Sequence, residues 1–429
     1  MDAVGMGTLI RQLREASGMT QTQLGERLGL RKDQVSKVEH GVRRLDIAEM
    51  AAAAEALGTT SRRLMGRPES GTLTLAARLT AGASPDGSAG GQVDAVTGRA
   101  RQLLELDHLL DELGARIPPR VSDPASQVLA WARALPDSAS TARANRDGQE
   151  LAGRTRAALG LGSAPLGSLA DLAERHFGVD VECGPFGPGV SGMCVHAGPI
   201  ALILANTELT AGHLRFTLAH ELAHHLLGDP REVVIEDGLG GDAVLERRAN
   251  AVAAHQLMPP DELRRVVAGR AIGDEVLAEL MQYFQVSLAS LVNHLAGVKV
   301  IDFGQRQPLA DRPARRLVNQ HGDPGKDDPT REGHGVRPPL RLLASARAAH
   351  RQGRIGATIF AALLGIAVHE VASDLASDVT AGGTAVEHDQ DTGHGRDAAA
   401  APATGPDPAP RGGDPDDLVD EAAAVFADL

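Results

Sequence analysis

Apolar positions recur at three- and four-residue intervals along most of this chain, with a brief change to two-residue alternation near its middle. Leu9 and Leu13 mark a first helix that Gly18 stops, and Thr20 caps a second that carries Leu24 and Leu28 and ends at Gly29. A third helix spans 31–39 with Val35 and Val38 inward, and a fourth spans 46–57 with Ile47, Met50, Ala51 and Ala54 inward. Helical patterns return at 99–113, 125–135 and 141–159, and Ser168 with Asp171 reads as a capping box opening an amphipathic helix that ends at Gly178. Residues 179–182 then alternate like a half-buried strand, and 192–196 and 200–205 read as two more strands joined by Ala197-Gly198-Pro199. A helix from a Thr210 cap to Gly228 sets Leu214, Leu218, Leu222 and Leu226 on one side. Helices at 243–257, 274–284 and 287–295 follow, the first with Leu245, Ala249, Val252 and Ala253 inward.

The expected fold class is therefore mainly α with a small β-sheet, an α+β chain. Its divisions are a five-helix unit at 1–67, a flexible Gly/Ser-rich linker at 68–98, and a helical connector at 99–160. A mixed unit follows at 161–300, then a second linker at 301–338 and a helical C-terminal unit at 339–379, where Ile355, Ile359, Leu363 and Leu364 keep a helical period. Residues 380–429 read as a disordered acidic tail in which 416–426 can fold on a basic partner.

Composition narrows the classes of function. With 429 residues, 42% of them hydrophobic and 23% charged, the chain is long enough for two or three domains. A net charge of −13 argues against coating nucleic acid as a whole, yet residues 1–67 carry 11 Lys/Arg against 8 Asp/Glu while 380–429 carry 2 against 11. A local DNA-binding module is compatible with that asymmetry. An aromatic content of 2% disfavours stacking of single-stranded bases. The sole tryptophan, Trp131, is expected to be a packing anchor, and Cys183 and Cys194 form no CxxC pair and read as small apolar packers. The chain opens with no signal segment and its longest apolar run, 357–368, is too short to span a bilayer, so a cytoplasmic location and no membrane contact are expected.

The chemistry lies in the helix ending at Gly228. His220 and His224 are four residues apart, one above the other and about 6 Å between Cβ atoms, and can close on one zinc ion. Glu221, between them, is placed to take a proton from water as general base. His225 is rotated about 100° away and does not serve the same ion. A catalytic zinc needs a third protein ligand. Glu246, in the first turn of the next helix, is the candidate, with Asp229, Glu232, Glu236, Asp237 and Asp242 as nearby alternatives. Asn250, one turn along, can orient Glu246. A sheet just before this helix suits a peptidase, because a strand edge holds an extended peptide by main-chain hydrogen bonds. Tyr283 is expected to be a core residue rather than support for an oxyanion.

Two family resemblances sharpen these readings. Met19-Thr20-Gln21-Thr22-Gln23-Leu24 through Val35-Ser36-Lys37-Val38-Glu39-His40-Gly41 resembles the Cro/C1 (XRE) repressor type of helix-turn-helix. That resemblance implies double-stranded DNA as a partner, with Lys32, Asp33, Ser36 and Lys37 approaching base edges and Gln21 meeting phosphate. The weak positive charge of the module implies a dimer or two half-sites. Thr217-Leu218-Ala219-His220-Glu221-Leu222-Ala223-His224, followed by Glu246-Arg247-Arg248-Ala249-Asn250, resembles the ImmA/IrrE family of metallo-endopeptidases. The resemblance covers roughly 165–300. It implies a zincin-like domain, one zinc per chain, Glu246 as the third ligand, and a narrow protein substrate, typically a helix-turn-helix repressor whose cleavage releases stress-response or mobile-element genes. Gly212-His213-Leu214 and His255 depart from the family's usual residues. A non-enzymatic regulator or an anti-repressor using the zinc domain for partner binding is the alternative.

Overall fold

In the computed structural model of this chain the described residues are 3–45, 47–57, 59, 64, 74–79, 88–136, 138, 140–187, 189–228, 234–235, 243–333 and 335–364. They fall into two units, Met1–Leu342 and Leu343–Leu429.

The first unit begins with α1 (Ala3–Ala16), α2 (Gln21–Leu28), α3 (Lys32–Glu39) and α4 (Ile47–Ala56). Ile10, Leu24, Val35, Val38, Ala53 and Leu57 form their shared core. The start of α2 is fixed by a reciprocal capping box. Thr20 Oγ1 accepts Gln23 N–H at 3.2 Å and Gln23 Oε1 accepts Thr20 N–H at 2.8 Å. The fifth helix expected for this unit falls on a stretch lying mostly outside the described residues.

The sheet joins β1 (Thr74–Leu79), β2 (Val179–Gly184), β3 (Val190–Ala197), β4 (Ile200–Asn206) and β5 (Val234–Ile235) in the order β2-β4-β3-β1-β5. β2 and β4 are parallel, β3 runs antiparallel to both β4 and β1, and β1 is parallel to β5. The expected half-burial of residues 179–182 is corrected, since every residue of β2 is buried. Arginines make that possible. Arg341 pairs with Asp180, and Arg99 reaches Glu182 at 2.7 Å, so the two carboxylates keep charged partners.

Both stretches expected as linkers contain elements. Residues 68–98 hold β1 and the start of α5 (Ser88–Glu112). The Gly- and Ser-rich surroundings conceal a run free of Gly and Pro, Thr-Leu-Ala-Ala-Arg-Leu, whose backbone finds partners on β3. Residues 301–338 hold α14 (Phe303–Ala310), α15 (Ala314–His321) and a strap. Arg337 exchanges backbone bonds with Cys183 at 2.8 and 2.9 Å, and its guanidinium takes Glu174 and Asp171 at 2.6 and 2.8 Å.

Between them lie α6 (Asp123–Arg133), α7 (Thr141–Ala158), α8 (Leu169–Phe177), α9 (Ala211–Leu227), α10 (Ala243–Leu257), α11 (Pro260–Val267), α12 (Asp274–Phe284) and α13 (Leu288–Gly297). Helix α9 packs on β3, β4 and α10, and α10 packs in turn on α7. One apolar core runs through them, including Leu151, Leu222, Val252, Met281 and Phe284. Trp131 anchors its edge beneath the Arg154 guanidinium, 4.3 Å from the ring, and both cysteines are buried and free.

Helix α16 (Leu340–Arg351) crosses into the second unit, which continues with α17 (Ala357–Leu364). Within that unit Ile355 and Leu363 are buried and His350 stacks on Phe360 at 6.1 Å. The acidic tail expected at 380–429 lies outside the described residues. No helix among the described residues is long and apolar enough to cross a membrane.

Candidate metal centre

Helix α9 is held from three directions. Leu214, Leu222 and Leu226 are buried, each contributing about 1.5–3 kcal/mol of apolar burial. Thr210 occupies the N-cap without a side-chain cap bond. Instead Ala211 N–H donates to Arg331 C=O at 2.7 Å and Gly212 N–H to Pro329 C=O at 2.9 Å, so the strap satisfies donors that a helix start leaves open. At the other end Gly228 N–H bonds the carbonyls of His224 and His225.

On this helix His220 Nε2 and His224 Nε2 stand 3.0 Å apart. Glu246, from the first turn of α10, brings Oε2 to 3.2 Å from His220 Nε2 and Oε1 to 3.4 Å from His224 Nε2. One ligand atom from each of the three residues can be chosen so that all lie within 4.8 Å of one another. Burial by itself would raise the Glu246 carboxyl. While Nε2 of His220 and of His224 carries a proton, hydrogen bonds from them outweigh it and hold the group well below the usual carboxylate range.

The donor set fits a metal. His220 Nδ1 donates to Asn250 Oδ1 at 3.1 Å, so that loss of the proton on Nε2 exposes a lone pair there toward His224 and Glu246. Lone pairs from two imidazoles and a carboxylate thus converge, which is the chemistry of a zinc site. The sequence sets Asn250 one turn from Glu246. Its hydrogen bond goes to His220 instead, because both lie on the facing sides of α9 and α10.

Glu221, adjacent to His220, is 1% exposed. The strand beside it has no side chain at Gly192, where a Cβ would stand 2.5 Å from Thr217 Cγ2 and 3.2 Å from Glu221 Cγ. Gly192 and Gly148 are site residues that sequence reading passes over. At Gly148 a Cβ would meet Ala251 Cβ at 2.6 Å and Arg248 C=O at 2.8 Å, so this glycine lets α7 lie close against the helix that carries Glu246 and Asn250. A signal for both exists, since a lone glycine inside a strand or helix pattern marks a close approach.

The other singled-out residues go elsewhere. His225 turns to β3, where His196 Nε2 lies 3.0 Å from its Nδ1, and burial pushes its imidazole down to about 3. Tyr283 donates its hydroxyl to Glu262 at 2.5 Å and packs on the core. His255 meets His294 edge to face at 4.7 Å and lines a cleft of about 400 Å³ with Arg156, Ser163, Asp261 and Arg264.

In the N-terminal helices Lys32, Asp33 and Lys37 are exposed on α3 and Ser36 is half-buried. Asp33 lies 3.5 Å from Arg31 and 3.8 Å from Lys37. Gln21 has a packing role that its sequence position does not reveal: Nε2 donates to Glu39 at 2.8 Å, beside the buried ion pair that Glu39 makes with Arg14 at 2.5 Å.

Comparison with known proteins agrees with both sets of motifs. Residues 175–296 match the IrrE N-terminal-like domain of a peptidase family, and residues 10–64 match a helix-turn-helix family. No curated protein gives a significant match. Among solved structures, ComR from Streptococcus suis is 14% identical with a TM-score of 0.15, covering 89% of this chain and 96% of that one. PlcR from Bacillus thuringiensis, in complex with the peptide PapR7 and DNA, is 10% identical with a TM-score of 0.17, covering 88% and 96%. The chain is thus a fusion of a helix-turn-helix domain with a peptidase-like domain of the IrrE N-terminal type.

Proposed function

We propose that the chain is a zinc-dependent endopeptidase acting in gene control, cutting a specific helix-turn-helix repressor and thereby releasing stress-response or mobile-element genes. The observation that carries this reading is the convergence of His220, His224 and Glu246 beside the buried Glu221, within a domain matched by a peptidase family. Zinc held by these three residues supplies Lewis acidity toward a peptide carbonyl and lowers the pKa of water. Glu221 takes the proton of the attacking water on its carboxylate and returns it to the departing amine nitrogen. Asn250 keeps the proton of His220 on Nδ1. Gln21, Lys32, Asp33, Ser36 and Lys37 form the DNA-facing set, which positions the peptidase at an operator in the cytoplasm, as a dimer or across two half-sites.

The test incubates the zinc-loaded full chain with the helix-turn-helix repressor encoded beside it. Wild type should yield two defined fragments, and Glu221→Gln should bind zinc normally and cut nothing. Equal cleavage by the Gln variant would overturn the role of Glu221. A zinc-loaded wild type that binds the repressor without cutting it would make the protein an anti-repressor.

A further inference from the structure

Strand β1 pairs with the edge of β3 that faces away from β4, and it comes from outside the residues matched to the peptidase family. The pairing is antiparallel, with Thr74 opposite His196, Ala76 opposite Cys194 and Arg78 opposite Gly192. Gly192 is also where β3 packs so near α9 that a Cβ would stand 3.2 Å from Glu221 Cγ. Neighbouring strands lie about 4.8 Å apart, so the β1 main chain at Arg78 passes one strand spacing from the residue packed beside the proposed general base. At that point the ladder slips, and Leu79 pairs with Val190 rather than Ser191. On the outer side β5 closes over β1, with Ala76 opposite Val234 and Ala77 opposite Ile235. β5 belongs to the connection between α9 and α10, the two helices that carry the metal cluster.

Without β1, β3 would present a row of backbone donors and acceptors beside Glu221. Such an edge captures extended peptides by strand addition, with the main chain giving affinity. We propose that residues 74–79 fill the outer edge of β3 in cis, in the place an extended peptide would take, and hold the site closed. The consequence for catalysis rests on the peptidase reading; the exchange of strands does not. β1 lies in the chain between the N-terminal helices and the helices that carry the metal cluster.

The experiment uses the full chain carrying Glu221→Gln, with a fluorescein-labelled peptide of residues 72–80 as the probe. Consecutive strand residues direct their N–H groups to opposite neighbours, so adding Ala76→Pro and Ala77→Pro removes one donor toward β3 and one toward β5. Anisotropy should show at least tenfold tighter peptide binding to the proline variant than to its parent. A second variant locks the strand. Directly opposed residues in an antiparallel pair have Cα atoms about 4.5–5.5 Å apart, within disulfide range, so Ala76→Cys places a thiol opposite Cys194. Mild oxidation should join the two, and reduction should restore peptide binding at least tenfold. Failure of that disulfide to form, or equal peptide affinity in the locked and proline forms, overturns the proposal. The two readings separate cleanly with Glu221 intact. Strand exchange with no cleavage of peptide or repressor refutes the peptidase and keeps the edge, whereas cleavage at equal rate in locked and reduced chains refutes the edge and keeps the peptidase.

Discussion

Asn250 Oδ1 accepts from His220 Nδ1 at 3.1 Å, and this leaves Nε2 as the candidate ligand atom facing His224 and Glu246. Partners of this kind are worth about 10–100-fold in metal affinity, so Asn250→Ala should weaken zinc binding by that factor in a chelator competition, while Asn250→Asp, which still accepts the proton, should recover most of it. Glu246→Ala should remove zinc outright at stoichiometric loading. Asp242→Ala should leave zinc content unchanged, and loss of metal there would move the third ligand from α10 to the preceding connection. Gly192 gives an independent check on Glu221. Because β3 is fixed on one side by β4 and on the other by β1, a methyl at this position must displace the helix turn at Thr217 and Glu221. Gly192→Ala should lower stability by about 1–3 kcal/mol in urea unfolding, the usual cost of forcing a carbon into a filled space.

At the level of elements, α7 shows how the connector of the sequence becomes part of the site. Its close approach to α10 at Gly148 is made against Arg248 and Ala251, which flank Asn250 in the chain. Gly148→Leu should push α10 away, lowering both the unfolding midpoint and zinc affinity, with the two losses read in the same protein by thermal melting with and without added zinc. The elements themselves are largely legible in the sequence. Helix α9, helix α10 and the strands β2, β3 and β4 follow from periodicity, and His220, His224 and Glu246 from spacing and family likeness. What is hidden depends on partners distant in sequence. β1 is a short apolar run whose strand character comes from β3, and nothing in the residues around Pro329 and Arg331 announces that their carbonyls finish the start of α9. Helix α13 adds a pH response. His294 is buried, donates Nε2–H to Met258 C=O at 2.8 Å and packs against His255, and burial lowers its pKa from 6.5 to about 4. A folded pKa below the unfolded one stabilises fully above pH 6.5 and loses that contribution as pH falls toward 4. Between about pH 7 and pH 5 the loss is about 2 kcal/mol. His294→Gln keeps a donor for Met258 and does not titrate, so its urea stability should fall by about 2 kcal/mol less over the same interval.

For the whole molecule the question is how a chain of net charge −13 approaches a polyanion. Its N-terminal module carries a small positive excess, and some of that charge is already spent inside the fold. Arg14 is buried against Glu39, and Arg43 is bonded to Glu49 at 2.6 Å. The charge left on the exposed side of α3 comes chiefly from Arg31, Lys32 and Lys37, with Asp33 set between Arg31 and Lys37 and reducing their field. DNA affinity built on so few contacts should be shallow in salt, because each phosphate neutralised adds about 0.9 to the slope of log affinity against log salt. Lys32→Ala with Lys37→Ala should therefore lower that slope by up to about 2 and weaken duplex binding at low salt. Asp33→Asn should act in the opposite sense on non-specific duplex, by relieving Lys37 of its neighbour, and its effect should fade as salt rises toward about 0.3 M, where the Debye length falls to roughly 6 Å. Anisotropy titrations on one duplex across that salt range read both variants. A slope that does not change in the double alanine variant would place the phosphate contacts on another face of the module, whereas affinity that falls while the slope holds would make the two lysines readers of base edges, the role their positions on α3 imply.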